Sequence, residues 1–373
     1  MGVETNRRLM SLDALRGFDM FWIAYPTYPI FHALLVALGF GGCWLDMQME
    51  HPEWVGFTFY DTIFPLFLFM AGVSFPYSYA SSKAKGLPPW RIVLRILTRA
   101  IVLFLLGSTI NSSLQFEFSK HCLTSVIGRI GIAWAVAALF YMSFGWRVRP
   151  GICAAILAVY GLVPLFVAAP GSPAGADPYA AANCIYCWMD GNVFPRPYIG
   201  RGAAGNFSMV ATAMIGMFAG EWLRRESPGL TRGRKAGGLL LAAVPCLVLG
   251  LAWAFCMGDW SVPIIKKIWT STYALVAASY SLAMLALFYW IIDVKGHVAW
   301  SFPFRVIGMN ALFAYLASRT ILPFNTEMKF LFGGVMRLCP TPEWGQFAGQ
   351  LGYLTLYWLL LYYMYRKNIF LRA

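Results

Sequence analysis

The sequence has 373 residues, of which 59% are Ala, Val, Ile, Leu, Met, Phe, Trp, Tyr or Cys and only 12% are charged. Soluble domains contain about 45–50% apolar and about 25% charged residues, so this composition argues strongly against a water-soluble enzyme. A mean hydropathy of +0.62 leaves too little polar surface to cover a globule of this size. The sequence therefore predicts a polytopic membrane protein.

Ten stretches of about 20 mainly apolar residues are long enough to cross a bilayer as helices. We predict these transmembrane helices at 17–39, 54–79, 92–112, 124–144, 150–169, 205–223, 236–257, 268–292, 304–322 and 346–365. Only the loop over 170–204 is long, and its Pro, Gly and Ala content predicts an irregular segment. With no soluble domain and no internal repeat visible, we predict one all-α transmembrane domain over residues 1–373.

The basic residues are distributed unequally between the two sides of these helices. With a cytoplasmic N-terminus, 20 of the 29 Lys and Arg fall in inner segments and 7 in outer segments. The positive-inside rule then predicts that both termini of this integral membrane protein are cytoplasmic. The formal charge of +13 is accounted for by an inner belt facing anionic lipid, so the lipid bilayer rather than nucleic acid is the expected partner.

Two ionisable residues fall inside predicted helices, where a charge is costly and often functional. Asp61 lies seven residues into the second helix and Arg129 about six residues into the fourth, each roughly 10 Å below the outer boundary. At matching depth the two side chains could form an ion pair. Such a pair either joins two helices or shapes an active site, and the residues leave both alternatives open.

His51 precedes Pro52 at the outer end of the second predicted helix. Because proline favours the first helical turn and the residue before it avoids the helical region, we expect His51 at the start of this helix. The positive end of the helix dipole would keep its imidazole neutral, as a general base requires. The alternative is a histidine that only caps the helix. The four His show no HxxxH or HExxH spacing, which predicts no metal site.

Basic residues also recur near the cytoplasmic ends of the predicted helices. Arg91, Arg95 and Arg99 are spaced i, i+4, i+8 and form one stripe on the third helix, while Arg16 lies close to the first. The stripe could bind the phosphates of a nucleotide-type donor. It could equally be ordinary positive-inside anchoring.

The long outer loop contains two cysteines in a C-x-x-C arrangement, Cys184 and Cys187. In an oxidising periplasm this pair could form a disulfide that constrains the loop. A redox-catalytic role is disfavoured because the chain has no thioredoxin-like βαβ pattern around the motif.

Several motifs occur in a fixed order along the chain. It opens with R-L-x-S-x-D-x-x-R-G over 8–17 and continues with H-x-x-W-x-G-x-T-x-x-D-x-x-F-P-x-F-x-F-x-x-G over 51–72. Weaker matches follow at 126–131, 267–271, 293–296 and 308–310. With these motifs the chain resembles the heparan-α-glucosaminide N-acetyltransferase family of membrane acetyltransferases over nearly its whole length. The 51–72 motif, with ten fixed positions, is the most specific.

The resemblance implies an enzyme that moves an acetyl group from cytoplasmic acetyl-CoA to an amino sugar on the other side of the membrane. It assigns the catalytic histidine to His51. We further expect Asp61 and Arg129 to hold the local geometry and charge, and Asn310 to donate a hydrogen bond within the pocket. The residues expected to bind acetyl-CoA are Arg16, Arg95, Arg99, Trp269, Ser271 and Lys295. No metal cofactor is expected. Analogy with the family, which includes shorter bacterial relatives, also suggests a homodimer and a place in a bacterial inner (plasma) membrane.

The chain departs from the family at two places. Thr27 stands where the animal enzymes carry Asn, and residues 200–202 lack the acidic residue of the relatives, so the acceptor pocket is expected to differ. Aromatic residues that could stack on sugar rings are Trp44, Trp54, Tyr186 and Trp188. An amino-sugar or N-acetylglucosamine transporter, and an acyltransferase acting on another surface glycan, are the alternative functions. Whether His51 acts as a base or is itself acetylated is open.

Overall fold

The computed structural model describes residues 9–24, 27–111, 125–192, 204–317 and 325–371. Within these ranges the chain is helical and has no β-strand. Two compact units are formed: the first comprises Met1–Glu50, Thr231–Ala236 and Met284–Arg372, and the second comprises His51–Leu230 and Gly237–Ala283. The single domain expected from the sequence stays a prediction.

The described helices differ in length from 4 to 25 residues. In chain order they are α1 (Met10–Ala24), α2 (Thr27–Ala37), α3 (Trp44–Met47), α4 (Ile63–Ala84), α5 (Pro89–Asn111), α6 (Val126–Ser143), α7 (Arg149–Phe166), α8 (Ile185–Asn192), α9 (Asn206–Arg224), α10 (Arg232–Phe255), α11 (Ser271–Phe288), α12 (Phe302–Met309), α13 (Ala311–Leu316), α14 (Asn325–Leu338) and α15 (Pro342–Arg366). A 3-10 turn, Phe59–Asp61, precedes α4, and a π-helical turn, Tyr289–Val294, continues α11.

Within the described residues, five helical segments are long and apolar enough to cross a membrane. These are Phe59–Ala84, Val126–Ser143, Arg149–Phe166, Arg232–Phe255 and Ser271–Val294. The expectation of an all-helical membrane protein is met at this level. The full set of ten transmembrane helices and the cytoplasmic termini stay predictions.

The second predicted helix starts later than the sequence indicated. Its expected start near residue 54 is wrong, because Gly56 adopts φ +144° and Thr58 is extended (φ −121°, ψ 168°), both outside helical geometry. Helix α4 begins only at Ile63. His51 therefore lies in an irregular segment and not at a helix N-terminus. The argument that a helix dipole keeps its imidazole neutral does not apply.

Three further predicted segments differ from the structure. The first predicted helix corresponds to α1 and α2, which are separate helices. The ninth is divided into α12 and α13 at Asn310, whose backbone (φ −121°, ψ 35°) leaves the helical region. The long loop contains α8, and a further helix, α14, precedes α15. The side chain of Thr27 and residues 200–202 lie outside the described part of the chain.

In the first unit, α1 packs along α12 and α14 packs along α15. The contact between α1 and α12 is close because glycines stand at the crossing. A Cβ added at Gly17 or Gly308 would lie within 2.0 Å of a backbone carbonyl oxygen on the other helix. This pairing brings the opening motif of the chain against the 308–310 motif near its end.

In the second unit, α9 is the central helix and packs against α4, α6 and α7. Side chains fully buried in this core include Leu68, Met209, Met214, Trp269 and Tyr273. Trp269 directly precedes α11, Tyr273 belongs to its first turn and Leu68 belongs to α4, so the core holds the start of α11 against α4.

The closest helix contact in this unit joins α4 to α9 through a G-x-x-x-G motif, Gly216 and Gly220. A Cβ built on Gly216 would lie 2.2 Å from the carbonyl oxygen of Phe69, and one on Gly220 would lie 2.3 Å from that of Val73. Small residues at this spacing let two membrane helices approach closely and gain van der Waals contact. The two carbonyl oxygens belong to backbone, so they cannot rotate away as a side chain would.

We expect Gly216→Ala to destabilise the protein, because its methyl group forces α4 and α9 apart. Overpacking of this kind costs about 1–3 kcal/mol, and the thermal unfolding midpoint of the detergent-purified protein measures it. Gly151→Ala in α7 is the matched control, since a Cβ there has no atom within 4 Å among the described contacts. Equal thermal unfolding midpoints of the two variants would contradict the close packing.

Candidate active site

His51 and Asp61 form a hydrogen-bonded pair in the second unit. The Nδ1 atom of His51 lies 2.8 Å from Oδ1 of Asp61. The carboxylate is fully buried, whereas the imidazole is 47% exposed. When the carboxylate accepts a hydrogen bond from Nδ1, the neutral ring has its lone pair on Nε2, which can then take a proton from a bound molecule. The pair has the arrangement of a general base with an orienting carboxylate.

The backbone around Asp61 fixes the direction of this carboxylate. The N–H of Thr58 donates to Oδ2 at 3.2 Å, which leaves Oδ1 for His51. The hydroxyl of Tyr273 donates to the carbonyl oxygen of Asp61 at 2.7 Å and joins the 3-10 turn to α11. Asp61 is therefore held at both its side chain and its backbone.

A third charged group, Lys266, completes the site. Its Nζ lies 3.0 Å from Oδ1 of Asp61, and 3.2 and 3.3 Å from Nδ1 and Nε2 of His51. A hydrogen bond of 2.9 Å from the Gly56 N–H to the Ile264 carbonyl joins the two chain segments that carry these residues. Lys266 was not among the site residues predicted from the sequence. The only signal was its position directly before the 267–271 motif.

The ion pair that Asp61 and Arg129 could form at equal depth is not present in the structure. Asp61 belongs to a turn that precedes α4, and its carboxylate faces His51 and Lys266. Arg129 is buried in α6, and its Nε donates to Oδ1 of Asn206 at 3.1 Å. Asn206, the first residue of α9, was also missed from the sequence. Arg129 thus joins α6 to α9, and a direct contact with the His51 pair is not made.

Two residues expected to bind acetyl-CoA, Trp269 and Ser271, lie inside the second unit. Both are buried, and Trp269 has a positive φ of 55°. The indole N–H of Trp269 donates to Thr212 at 3.2 Å, and the hydroxyl of Ser271 donates to the carbonyl of Leu157 at 2.6 Å. These contacts position the start of α11, and they give no support to a contact with a donor.

The basic residues expected at the donor site fall in both units. In the second unit Arg95 is exposed on α5, and the guanidinium of Arg99 lies 4.5 Å from the centre of the Trp134 ring. In the first unit Arg16 lies 3.4 Å from Asp13. Nζ of Lys295 in that unit lies 5.2 Å from the Trp290 ring centre. The four residues are thus divided between the two units, and their role in donor binding stays a prediction.

Asn310, expected to donate a hydrogen bond to a substrate, is fully buried in the first unit. Its side-chain amide donates to the carbonyl of Ile369 at 2.9 Å and accepts from the N–H of Leu371 at 3.1 Å. Both ends of the amide thus hold the C-terminal segment of the chain. The sequence did not predict this structural role, because Asn310 and the C-terminal segment that it contacts are far apart along the chain.

The aromatic residues proposed to stack on sugars are placed differently from one another. Tyr186 is buried and stacks on Tyr160 at 4.2 Å, so it faces the interior, and burial raises the pKa of its hydroxyl. Trp54 and Trp188 are partly exposed in the second unit, and Trp54 donates to the carbonyl of Tyr179 at 2.8 Å. Trp44 is 72% exposed but belongs to the first unit.

The two loop cysteines are free thiols that lie against each other in the buried cluster around Tyr186. A hydrogen bond with Cys187 lowers the pKa of Cys184, and the same contact raises that of Cys187. The disulfide that these two residues could form is not present in this structure. Among the described residues, no three His, Cys, Asp or Glu side chains are placed to hold a metal ion.

The fold and the site together define a class of protein: a helical membrane protein with a half-exposed histidine supported by a buried carboxylate. Comparison with known families makes the class specific. The family described as "Heparan-alpha-glucosaminide N-acetyltransferase, catalytic" matches residues 8–248. The chain belongs to this family. The matched region includes His51, Asp61 and Arg129, but Lys266 and α11 follow it along the chain.

Two curated relatives extend the similarity over almost the whole chain. Human heparan-alpha-glucosaminide N-acetyltransferase is 24% identical over 97% of this chain and 59% of its own length. The mouse protein of the same name is 23% identical over 98% of this chain and 61% of its own length. The chain thus spans about three fifths of the relatives that it matches.

Proposed function

We propose that this protein is a transmembrane acetyltransferase that moves the acetyl group of cytoplasmic acetyl-CoA to an amino sugar on the periplasmic side. The observation that carries the proposal is the His51–Asp61 pair, a half-exposed imidazole on a buried carboxylate. It occurs in a chain whose family is described as the catalytic part of an N-acetyltransferase. The acceptor proposed, a glucosamine-type amino sugar, follows the names of the human and mouse relatives.

The site supports two chemical routes for the transfer. In the direct route, the neutral sugar amine attacks the thioester carbonyl while Nε2 of His51 takes its proton, and CoA leaves as a thiolate that the imidazolium can protonate. In the two-step route, Nε2 attacks the thioester first and CoA leaves as a thiolate; the neutral sugar amine then attacks the acetyl group, the imidazole leaves, and the amine proton passes to the thiolate or to solvent. In both, Asp61 holds Nδ1 and stabilises positive charge that develops on the ring.

The placement of donor and acceptor on opposite sides follows from the charge distribution. Inner segments carry 20 Lys and Arg and outer segments 7, which puts His51 at the periplasmic side if the ten predicted helices form. Negatively charged acetyl-CoA would meet the basic cytoplasmic belt, where Arg16, Arg95, Arg99 and Lys295 are the proposed contacts. The acetyl group then has to cross between the helices to reach His51.

Sealed proteoliposomes test this sidedness. Accessibility of an N-terminal tag to protease identifies the protein molecules whose cytoplasmic segments face outward. Glucosamine is trapped inside the vesicles, and acetyl-CoA is added outside. We expect N-acetylglucosamine to form inside and free CoA to appear outside. Product formed only when both substrates are on the same side would overturn the transmembrane route. Sugar movement without release of CoA thiol would favour the transporter.

A further inference from the structure

A groove that contains none of the residues assigned to acetyl transfer lies in the first unit, between α14 and α15. Its volume is about 510 Å³, within the range of about 300–1,000 Å³ that small-molecule sites occupy. Four of the side chains that line it are polar. Lys329 and Arg337 come from α14, and Gln346 and Gln350 come from α15, so polar groups stand on both walls.

Glycines of α15 let the apolar side chains of α14 approach its backbone at this groove. A Cβ added at Gly345 would lie 2.7 Å from the carbonyl oxygen of Met336. One added at Gly349 would lie 2.9 Å from the Met336 thioether and 3.3 Å from the sulfur of Met328. Met328 and both glycines are buried, whereas Lys329, Arg337 and Gln346 are exposed. The buried part of the lining is therefore apolar, and the exposed part is polar.

The charge of the groove favours an anionic ligand. Of the described residues that line it, two are basic and none is acidic. Lys329 forms no ion pair within the described ranges, and Nε of Arg337 donates to the Gly333 carbonyl of its own helix at 3.2 Å. Guanidinium and ammonium groups both bind phosphate oxygens through charge-assisted hydrogen bonds. The side-chain amides of Gln346 and Gln350 can donate further hydrogen bonds to the oxygens of a ligand.

Helix α14 also has apolar side chains that α15 does not cover. Phe330 and Leu338 are each 87% exposed, and Leu331 and Val335 are each more than half exposed. With 14 residues the helix is about 21 Å long, too short to cross a hydrocarbon core of about 30 Å. A short helix that combines an apolar surface with Lys and Arg is typical of the membrane interface. There, phosphate headgroups and acyl chains are both within reach.

We propose that this groove binds the headgroup of an anionic phospholipid such as phosphatidylglycerol. The lipid phosphate lies between Lys329 and Arg337, whose Cα atoms are about 12 Å apart along the helix, a distance that two long side chains can close. The amides of Gln346 and Gln350 donate to oxygens of the headgroup. The acyl chains cover the exposed apolar side chains of α14.

A phospholipid fits these observations better than a free anion does. A soluble phosphate would contact the two cations but would leave the apolar surface of α14 exposed to water, which is unfavourable. A phospholipid satisfies the charged and the apolar parts together. The proposal goes beyond acetyl transfer and does not depend on it, because the first unit carries the whole groove.

Native mass spectrometry of the detergent-purified full-length protein tests the proposal by titration with phosphatidylglycerol or with zwitterionic phosphatidylcholine. We expect one saturable site that prefers phosphatidylglycerol. The double substitution Lys329→Gln and Arg337→Gln should weaken this binding by about 10–30-fold, since each cation near an anionic lipid contributes about fivefold. A photoactivatable phosphatidylglycerol should label peptides of α14 and α15.

Two double variants control for charge. Lys329→Arg with Arg337→Lys keeps both cations and should keep the affinity within about threefold of the wild type. Arg147→Gln with Arg225→Gln removes the same charge from exposed positions outside the groove and should leave the site unchanged. Thermal unfolding midpoints show whether each variant is folded. If the neutral double variant does not fold, each single substitution, Lys329→Gln or Arg337→Gln, should weaken binding by about fivefold.

Four results would overturn the proposal. The first is equal phosphatidylglycerol affinity in the wild type and the neutral variants, and the second is labelling confined to segments other than α14 and α15. The third is displacement of the lipid by an equal concentration of inorganic phosphate, which would show a site for a free anion. The fourth is cross-linking of α14 to a second copy of the chain without lipid labelling, which would show that another protomer covers the groove.

Discussion

Replacing His51 with alanine is expected to reduce acetyl transfer by about 10²–10⁴-fold, the usual contribution of a positioned acid–base group, and by more if His51 carries the acetyl group. The imidazole is 47% exposed, so its removal leaves no buried cavity, and folding should be little affected. The release of CoA thiol at saturating acetyl-CoA measures the loss, with the thermal unfolding midpoint measured in parallel.

The matched control for this variant is His32→Ala. It removes an imidazole of similar exposure that also contacts a buried aspartate, but it leaves the proposed site intact. We expect it to keep activity within about twofold of the wild type. Comparable losses in the two variants would show that the effect at His51 comes from general destabilisation, and His51 would lose its assigned role.

Asp61→Asn is expected to produce the second large loss, about 10²–10⁴-fold in kcat. The amide keeps the size of the carboxylate but presents an N–H or a neutral oxygen to Nδ1, so the correct tautomer of His51 is no longer enforced. The charge that stabilises a positively charged ring is lost as well. A steady-state comparison at saturating substrate separates this effect on kcat from an effect on KM.

Asp46→Asn provides the control for Asp61→Asn, since it makes the same change in the pair with His32. Its activity should stay close to that of the wild type. Asp61→Asn also leaves the Lys266 ammonium, which is 22% exposed, without its carboxylate, so a lower unfolding midpoint is expected for this variant. Wild-type kcat in Asp61→Asn would show that the carboxylate does not act through His51.

The sequence predicted the parts of the site that lie close together along the chain. His51 and Asp61 are ten residues apart within one specific motif, and the structure places them in contact. Lys266 could not be found in the same way, because it is brought to the pair by a segment more than 200 residues away. The backbone hydrogen bond between Gly56 and Ile264 joins the segment of Lys266 to that of His51, and no local sequence pattern predicts this bond.

The helices were predicted well where apolar length alone decides them. The fourth predicted helix, 124–144, is α6 (Val126–Ser143) to within two residues. The start of α4 was missed because hydropathy does not register the positive φ of Gly56 or the extended Thr58. The contact that Arg129 makes could not be predicted for a related reason: equal depth in two helices does not specify which faces meet, and its Nε donates to Asn206.

Acetyl transfer is tested most simply by incubating the purified protein with acetyl-CoA and a panel of amino sugars while CoA thiol and N-acetylated sugar are followed together. We predict equimolar thiol and N-acetylated product with at least one glucosamine-type acceptor, and loss of both in His51→Ala. Binding of the sugar with no release of thiol above the His51→Ala background would contradict the account.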